Sequence, residues 1–471
     1  MNRFSLALRA AVAGAFLVSA VPGPTARADV FDPETFTLDN GMEVVVVTNR
    51  SAPVVSHMVW YGVGAADEPW GDSGIAHFLE HLMFRGTEEV ADGEFSAIVS
   101  RHGGNDNAFT SWDYTAYFQN IAVDRLPTVM ELEADRMVNL VLDEEIVRTE
   151  RAVILEERFQ RTDSNPSARL AEQMYAALFQ NHPYGVPIIG WAHEVSEMSL
   201  DEVRDFYERW YAPNNAVLVV SGDIDAETLR PLAERTYGQI PANPEVPAER
   251  IRPMEPQQAT PRRVTLQDPD VRQPSWRRYY LGPTYANDPD DHAYALQVLS
   301  EILGGGTTGR LYRSLVVEQQ LAVSAATGYS ADNLDYAPFA AVVVPASGVE
   351  PEEVEAAFEA EVARIRSDGV TEDELESAKQ RLVTAADYAR DSLQGPARVF
   401  GEALVTGQTV ADVEAWPDRI AAVTAEQVRA AARDILQEDA SVTGILLPGG
   451  PPARQAAAKP APQSPATEVI R

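Results

Sequence analysis

Gly74-Ile75-Ala76-His77-Phe78-Leu79-Glu80-His81-Leu82-Met83-Phe84 sets two histidines four residues apart inside an apolar run. Residues at that spacing share one face of a helix. His77 and His81 can therefore turn two imidazoles toward one metal ion. Glu80 falls at the edge of that face, where a carboxylate can take a proton from a metal-bound water. Phe78, Leu79 and Leu82 occupy the remaining faces and can pack into a core. The plain alternative is a pair of surface histidines on an amphipathic helix. The apolar flanks argue against it, because such a helix does not cheaply bury unpaired imidazoles.

A zinc site of this kind needs a third protein ligand and leaves a fourth position for water. The chain has no cysteine, which excludes disulfides, thiolate zinc sites, iron–sulfur clusters and thiol nucleophiles. The third ligand must come from Asp, Glu or His. The stretch Asp143 to Arg161 reads as a helix and offers Glu150, Glu156 and Glu157. Glu150 and Glu157 are two turns apart and share a face, and Glu156 is rotated about 100° from Glu157. Spacing alone does not choose among them, nor against a solvated face with i,i+4 ion pairs.

Further out, Met42 to Thr48, Val54 to Tyr61 and Tyr114 to Ile121 read as strands, rich in valine and aromatics. Ile75 to Phe84 and Leu126 to Leu142 read as helices. Strands come in adjacent pairs, which predicts an α+β layer with a largely antiparallel sheet. The chain also repeats itself. Ser199-Leu200-Asp201-Glu202 and Thr424-Ala425-Glu426-Gln427 are both capping boxes, both continue Val-Arg, and both precede a strand, at Ala216 to Ser221 and Ser441 to Leu446. The shared offset of 225 residues predicts two similar α+β domains, at 29–240 and 263–447. Between them, 241–262 carries six prolines (Pro241, Pro244, Pro247, Pro253, Pro256 and Pro261) and reads as a connector. Residues 448–471 read as a disordered tail.

The 471 residues carry a formal charge of −33. So acidic a chain repels nucleic acid and anionic lipid and favours cationic or neutral ligands; solubility alone would also account for it. Arg3 and Arg9, the apolar run Ala10 to Val21, and Ala26-Arg27-Ala28 make a secretory signal peptide the reading of residues 1–28. Periplasmic or secreted location is therefore expected, with no membrane insertion.

The motif resembles the inverted zinc signature of the M16 peptidases, the family of pitrilysin, insulysin and the mitochondrial processing peptidase. The likeness extends to Phe84-Arg85-Gly86-Thr87, to Glu150-Arg151-Ala152-Val153-Ile154-Leu155-Glu156-Glu157, to His182-Pro183-Tyr184-Gly185, and to Phe206 through Asn215. It implies zinc held by His77, His81 and Glu157, Glu80 as the base, and Glu150 as an auxiliary acidic residue of the catalytic set. It also implies that Gly103-Gly104-Asn105-Asp106-Asn107-Ala108-Phe109-Thr110 forms a sheet edge to which an extended peptide substrate adds as a strand, with Asn107, Ala108 and Phe109 contacting it.

The second half has no His-x-x-Glu-His, and its one histidine is His292. Active assemblies of the family carry an Arg and a Tyr seven residues apart after a glycine-rich turn in a second-half domain. Here Val316 and Val323 stand in those places. A related zinc-less subunit supplying that pair is thus the expected partner, in a heterodimer. The rival reading is a non-catalytic subunit that binds peptides or supports assembly. Gly304-Gly305-Gly306-Thr307-Thr308-Gly309 lacks the lysine of a phosphate loop and reads as a helix–helix turn. His57, His102, His182, His193 and His292 have no partner at ligand spacing.

Overall fold

The computed structural model describes residues 30–449. The expected signal peptide, and the expected tail beyond Gly449, lie outside the described residues. The first sheet is built from β1 (Glu34–Thr37), β2 (Glu43–Thr48), β3 (Val54–Tyr61), β4 (Asn105–Thr110), β5 (Thr115–Ala122) and β6 (Ala216–Gly222), in the order β1-β2-β6-β3-β5-β4. The second is built from β7 (Arg262–Asp268), β8 (Ser275–Gly282), β9 (Ala322–Gly328), β10 (Ala337–Pro345) and β11 (Ser441–Pro448), in the order β7-β11-β8-β10-β9. Apart from β1 the two sheets are wired alike. In each, the opening strand lies parallel to the closing one (β2 with β6, β7 with β11), and every other pairing is antiparallel. The chain is two similar α+β domains.

The Leu126 helix stops at Val138 rather than Leu142. Leu140 instead bridges to Thr87, and Asp143 caps the next helix, accepting from the Ile146 amide. That helix, Glu144–Arg158, gives way to a π-helical turn over Phe159–Asp163. Among the described residues no helix is long and apolar enough to cross a membrane.

The valine runs are buried on both sides, and the two covers come from different halves. On the first sheet, one face carries the core of its own half, including Val44, Val46, Val59, Phe78 and Leu79. The opposite face, with Val45, Met58, Trp60 and Val219, is covered by Ala397, Phe400 and Ala403 of the second-half helix Gly395–Val405. In return, Leu170, Met174 and Leu178 of the first-half helix Pro166–Leu178 cover Tyr279, Val442 and Leu446 on the second sheet. Both crossings need glycine. A Cβ on Gly401 would lie 2.1 Å from Trp60 Cε2, and one on Gly444 would lie 2.1 Å from Met174 Sδ.

The connector carries no helix or strand between Gln239 and Arg262, yet it is not a loose tether. Arg252 is buried and pairs with Asp67 (2.9 Å) and Asp113 (2.5 Å) of the first half and with Asp335 (2.8 Å) of the second. Asp113 also accepts from Tyr184 Oη and the Leu334 amide. His182 Nε2 lies 3.1 Å from Asp335.

Candidate metal centre

The helix Ile75–Leu82 is fixed at its first turn. Gly74 takes φ +91°, and a Cβ there would meet the Ile189 carbonyl oxygen at 2.8 Å, so the position admits only glycine. The Glu68 carboxylate accepts from the amides of Gly74 (2.9 Å) and Ala76 (3.0 Å), filling donors that a helix start leaves open. Burial pushes its carboxyl well up. Phe78, Leu79 and Leu82 are fully buried in the first-half core. That leaves His77 and His81 facing the helix Glu144–Arg158.

His77 Nε2 lies 3.7 Å and His81 Nε2 3.2 Å from the same atom, Glu157 Oε2. Among the described residues these three form the one cluster of His, Asp and Glu able to hold a metal ion, their ligand atoms within 4.8 Å of one another. Glu157 Oε2 is buried and receives no hydrogen bond, while its other oxygen holds Arg161 at 2.9 Å. An orphaned carboxylate oxygen facing two imidazole nitrogens fits a divalent cation, and two nitrogens with one oxygen suit zinc. Glu156, which spacing left open, is exposed and accepts from Gln160 at 2.7 Å.

Glu150 stands behind this trio. Its Oε1 lies 2.8 Å from His81 Nδ1, and its Oε2 accepts from Arg85 Nε at 2.7 Å and from Arg85 Nη2. The sequence reading grouped it with the catalytic residues. In the structure Glu150 touches the Nδ1 side of the His81 imidazole, away from the Nε2 that faces Glu157. Burial opposes ionisation of Glu150, but the hydrogen bonds from His81 and Arg85 hold its carboxyl low. The two histidines diverge. Burial, then the neighbouring His81, lowers His77 to about 4. Burial also opposes charge on His81, but its contacts with Glu150 and Glu157 outweigh this and push it up to about 9.

Glu80 lies beside the trio, and Thr110 Oγ1 donates to its Oε2 at 2.6 Å. Burial nevertheless raises the Glu80 carboxyl. Thr110 ends β4, which pairs with β5 on one side and forms the edge of the sheet. Asn107 is exposed on that edge, its Oδ1 accepting from the Ala108 amide at 2.9 Å. Ala108 packs on the first-half core. The Phe109 ring turns to the opposite face, half-buried against Trp60 and Tyr114 under the Arg398 guanidinium. Two residues at this centre were not singled out from sequence. Arg85 carried a signal, standing four after His81 and so on its helical face; Thr110 was named only as the end of the Gly103–Thr110 stretch, and its contact with Glu80 comes from the approach of strand to helix.

His57, His182 and His292 have side-chain partners elsewhere in the fold. His57 is buried between Gln119 (2.7 Å) and Tyr237 (2.9 Å), and His292 lies 3.0 Å from Asp434. The glycine-rich segment turns the chain from the helix Ala293–Gly304 into a π-helical turn at Tyr312–Glu318. Val316 packs half-buried on the second-half core, and Val323 is exposed on β9, the edge strand matching β4.

The sequence profile described as Insulinase (Peptidase family M16) matches residues 43–191, and that described as Peptidase M16 inactive domain matches residues 197–382. An uncharacterised zinc protease of Mycobacterium tuberculosis is 31% identical over 420 residues, 88% of this chain and 93% of the relative. The chain belongs to peptidase family M16. Zinc protease PqqE of Helicobacter pylori is 29% identical over 408 residues, 86% of this chain and 90% of that one. The crystal structure of a protease from Helicobacter pylori superposes with a TM-score of 0.81 at 27% identity, covering 88% of this chain and 99% of that one. In the second M16 half, the helix Ala293–Gly304 takes the place in the wiring that Ile75–Leu82 holds in the first. It buries Ala295, Leu296, Val298 and Leu299 and carries no histidine; its one carboxylate, Glu301, pairs with Arg381.

Proposed function

We propose that this chain is a zinc-dependent endopeptidase acting on extended peptides. The observation that carries the reading is the buried, hydrogen-bond-free Glu157 Oε2 facing the Nε2 atoms of His77 and His81, with Glu80 beside them. Those three residues would hold the ion; when bound, zinc acidifies a water and polarises the scissile carbonyl. Glu80 takes the proton of that water and returns it to the leaving amine. Its burial suits this task, since a raised carboxyl accepts a proton more readily than an exposed one. Glu150 and Arg85 hold the His81 ring at the angle the site needs. The free edge of β4 receives the peptide backbone as an added strand.

The partner follows from the two valines. Neither Val316 nor Val323 can donate a hydrogen bond to a substrate carbonyl or to a developing oxyanion, and losing such a donor costs about 2.7–4 kcal/mol in the transition state. A related M16 subunit without zinc, supplying an Arg and a Tyr, would complete the assembly. The basic, apolar and small-residue order of residues 1–28 supports a periplasmic or secreted location for this chain. The same two valines favour one other reading, a non-catalytic subunit that binds peptides or supports assembly.

The test is to purify the chain, measure zinc, and digest unfolded peptides with and without an M16 partner. About one zinc per chain is expected, lost in His77→Ala, His81→Ala and Glu157→Ala. Glu80→Gln should keep zinc and lose cleavage. Zinc retained in Glu157→Ala refutes the ligand set. Zinc bound with no cleavage in any assembly decides for the non-catalytic reading.

A further inference from the structure

Thr110 occupies a junction that the peptidase reading does not use. It is the last residue of β4, the strand whose outer edge is free, and its hydroxyl is the one hydrogen-bond donor to the Glu80 carboxylate among the described residues. The strand and the base are otherwise carried by separate elements.

The hydroxyl has little freedom to point elsewhere. Thr110 is paired across the ladder with Thr115. Its Oγ1 lies 3.5 Å from Thr115 Oγ1, which is buried and donates onward to the Val63 carbonyl at 3.1 Å. The chain just beyond is also fixed. The Ser111 and Trp112 carbonyls accept from the Ala65 and Ala66 amides, and Gly64 lies so close that a Cβ there would come within 2.4 Å of the Ser111 oxygen. The other end of β4 differs, with Asn105 and Asn107 exposed. One end of the strand is anchored at the base; at the other, Asn105 accepts from Asn120 and Asp106 from Ser96.

We infer that Thr110 is a positioning residue that couples occupancy of the β4 edge to alignment of Glu80. A peptide hydrogen-bonded along β4 stiffens the strand from Asn105 to Thr110. The Thr110 hydroxyl carries that order to the Glu80 carboxylate, holding Oε2 so that Oε1 is left for the attacking water. Binding energy from parts of the peptide remote from the scissile bond then appears in kcat rather than in KM alone. The consequence is a length preference in turnover: peptides that span the edge are cut faster at saturation than peptides too short to pair with it. This rests on the peptidase reading.

The experiment compares a decapeptide with a tetrapeptide containing the same cleavage site, using the zinc-loaded assembly that cleaves. Thr110→Val keeps the shape and removes the hydroxyl. Its kcat on the decapeptide should fall about 10- to 100-fold, a fraction of the 10²–10⁴ that a positioned base supplies. Its KM and zinc content should be unchanged, and its kcat on the tetrapeptide should fall much less, so that the ratio of the two approaches one. Thr110→Ser should restore the ratio, and Thr110→Ala replaces Thr110→Val as the test should the valine variant lose zinc or melt early. An undiminished length preference in zinc-loaded Thr110→Val overturns the coupling while leaving the peptidase reading intact. Equal losses on both peptides also overturn it, reducing Thr110 to an orienting group. Failure of the wild-type assembly to cut either peptide removes the peptidase reading and the coupling with it.

Discussion

Arg252→Met should loosen the two halves from one another. The wild-type guanidinium is enclosed by Asp67, Asp113 and Asp335, at 2.9, 2.5 and 2.8 Å, and its own side chain is 4% exposed. Methionine keeps much of the volume and removes the charge. Breaking a buried pair from one side costs about 3–5 kcal/mol, because the abandoned carboxylate stays buried. Here each carboxylate keeps another partner: Arg250 near Asp67, Tyr184 and the Leu334 amide on Asp113, His182 on Asp335. The lower end, about 3 kcal/mol, is therefore expected. Because the interlocked halves melt as one unit of about 400 residues, that is a fall in Tm of roughly 3–4 °C. The pH dependence separates charge from packing. Burial already raises the Asp67 carboxyl; Asp335 is also opposed by burial, but hydrogen bonds from His182 and Arg252 hold it low. Without Arg252 both rise in the folded state. A carboxylate whose folded pKa is raised above its unfolded value takes up a proton as pH falls, so the deficit of the variant should be greatest near pH 7.5 and should narrow toward pH 5. Thermal melts of both proteins across that range measure it. A Tm within 2 °C of wild type at pH 7.5, or a deficit that does not change with pH, refutes the reasoning.

Glu150→Gln should weaken zinc binding about 10- to 100-fold, as loss of an orienting partner of a ligating imidazole does; competition with a chelator measures it, and an unchanged Kd sinks the assignment of Glu150 as the group behind His81. Zinc affinity should also depend on pH. His81 is held up to about 9 by Glu150 and Glu157 in the metal-free chain, so below that value zinc displaces one proton from it, and the affinity should fall about tenfold per pH unit between 8.5 and 7; a flat profile there contradicts the shift. Gly401→Ala should destabilise by about 1–3 kcal/mol, the usual cost of overpacking, because its Cβ would meet the buried Trp60 ring; denaturant melts decide, and a stabilised variant would show that the helix can back away freely.

The histidine pair was legible because it is local: His77 and His81 lie four apart on one helix, and the apolar residues around them declare that the helix is buried. The strands β2, β3 and β5 were legible for a similar reason, since their valine and aromatic runs end at turn residues. The choice of Glu157 over Glu156 was not a matter of spacing. It depends on the angle at which Glu144–Arg158 crosses Ile75–Leu82, and only the packed structure supplies that; sequence reached Glu157 through likeness to M16 alone. The 241–262 segment was legible only in part. Its prolines describe the backbone correctly as lacking helix and strand, but they say nothing of Arg252, whose partners lie far away in sequence at positions 67, 113 and 335. Thr110 is of the same kind. A threonine closing a strand is unremarkable until the tertiary fold brings the carboxylate of a separate helix within 2.6 Å of it.

The exchange of covering helices sets an order of events during synthesis. The last strand of the first sheet ends at Gly222, whereas the helix that shields its second face begins only at Gly395. A nascent chain that has emerged as far as the connector therefore holds Val45, Met58, Trp60 and Val219 without the helix that covers them. Truncation at the connector should yield a sticky fragment, not an independent zinc domain, and limited proteolysis between the halves should leave two pieces that stay together. The first sheet is covered on both faces only when Phe400 reaches the Trp60 face.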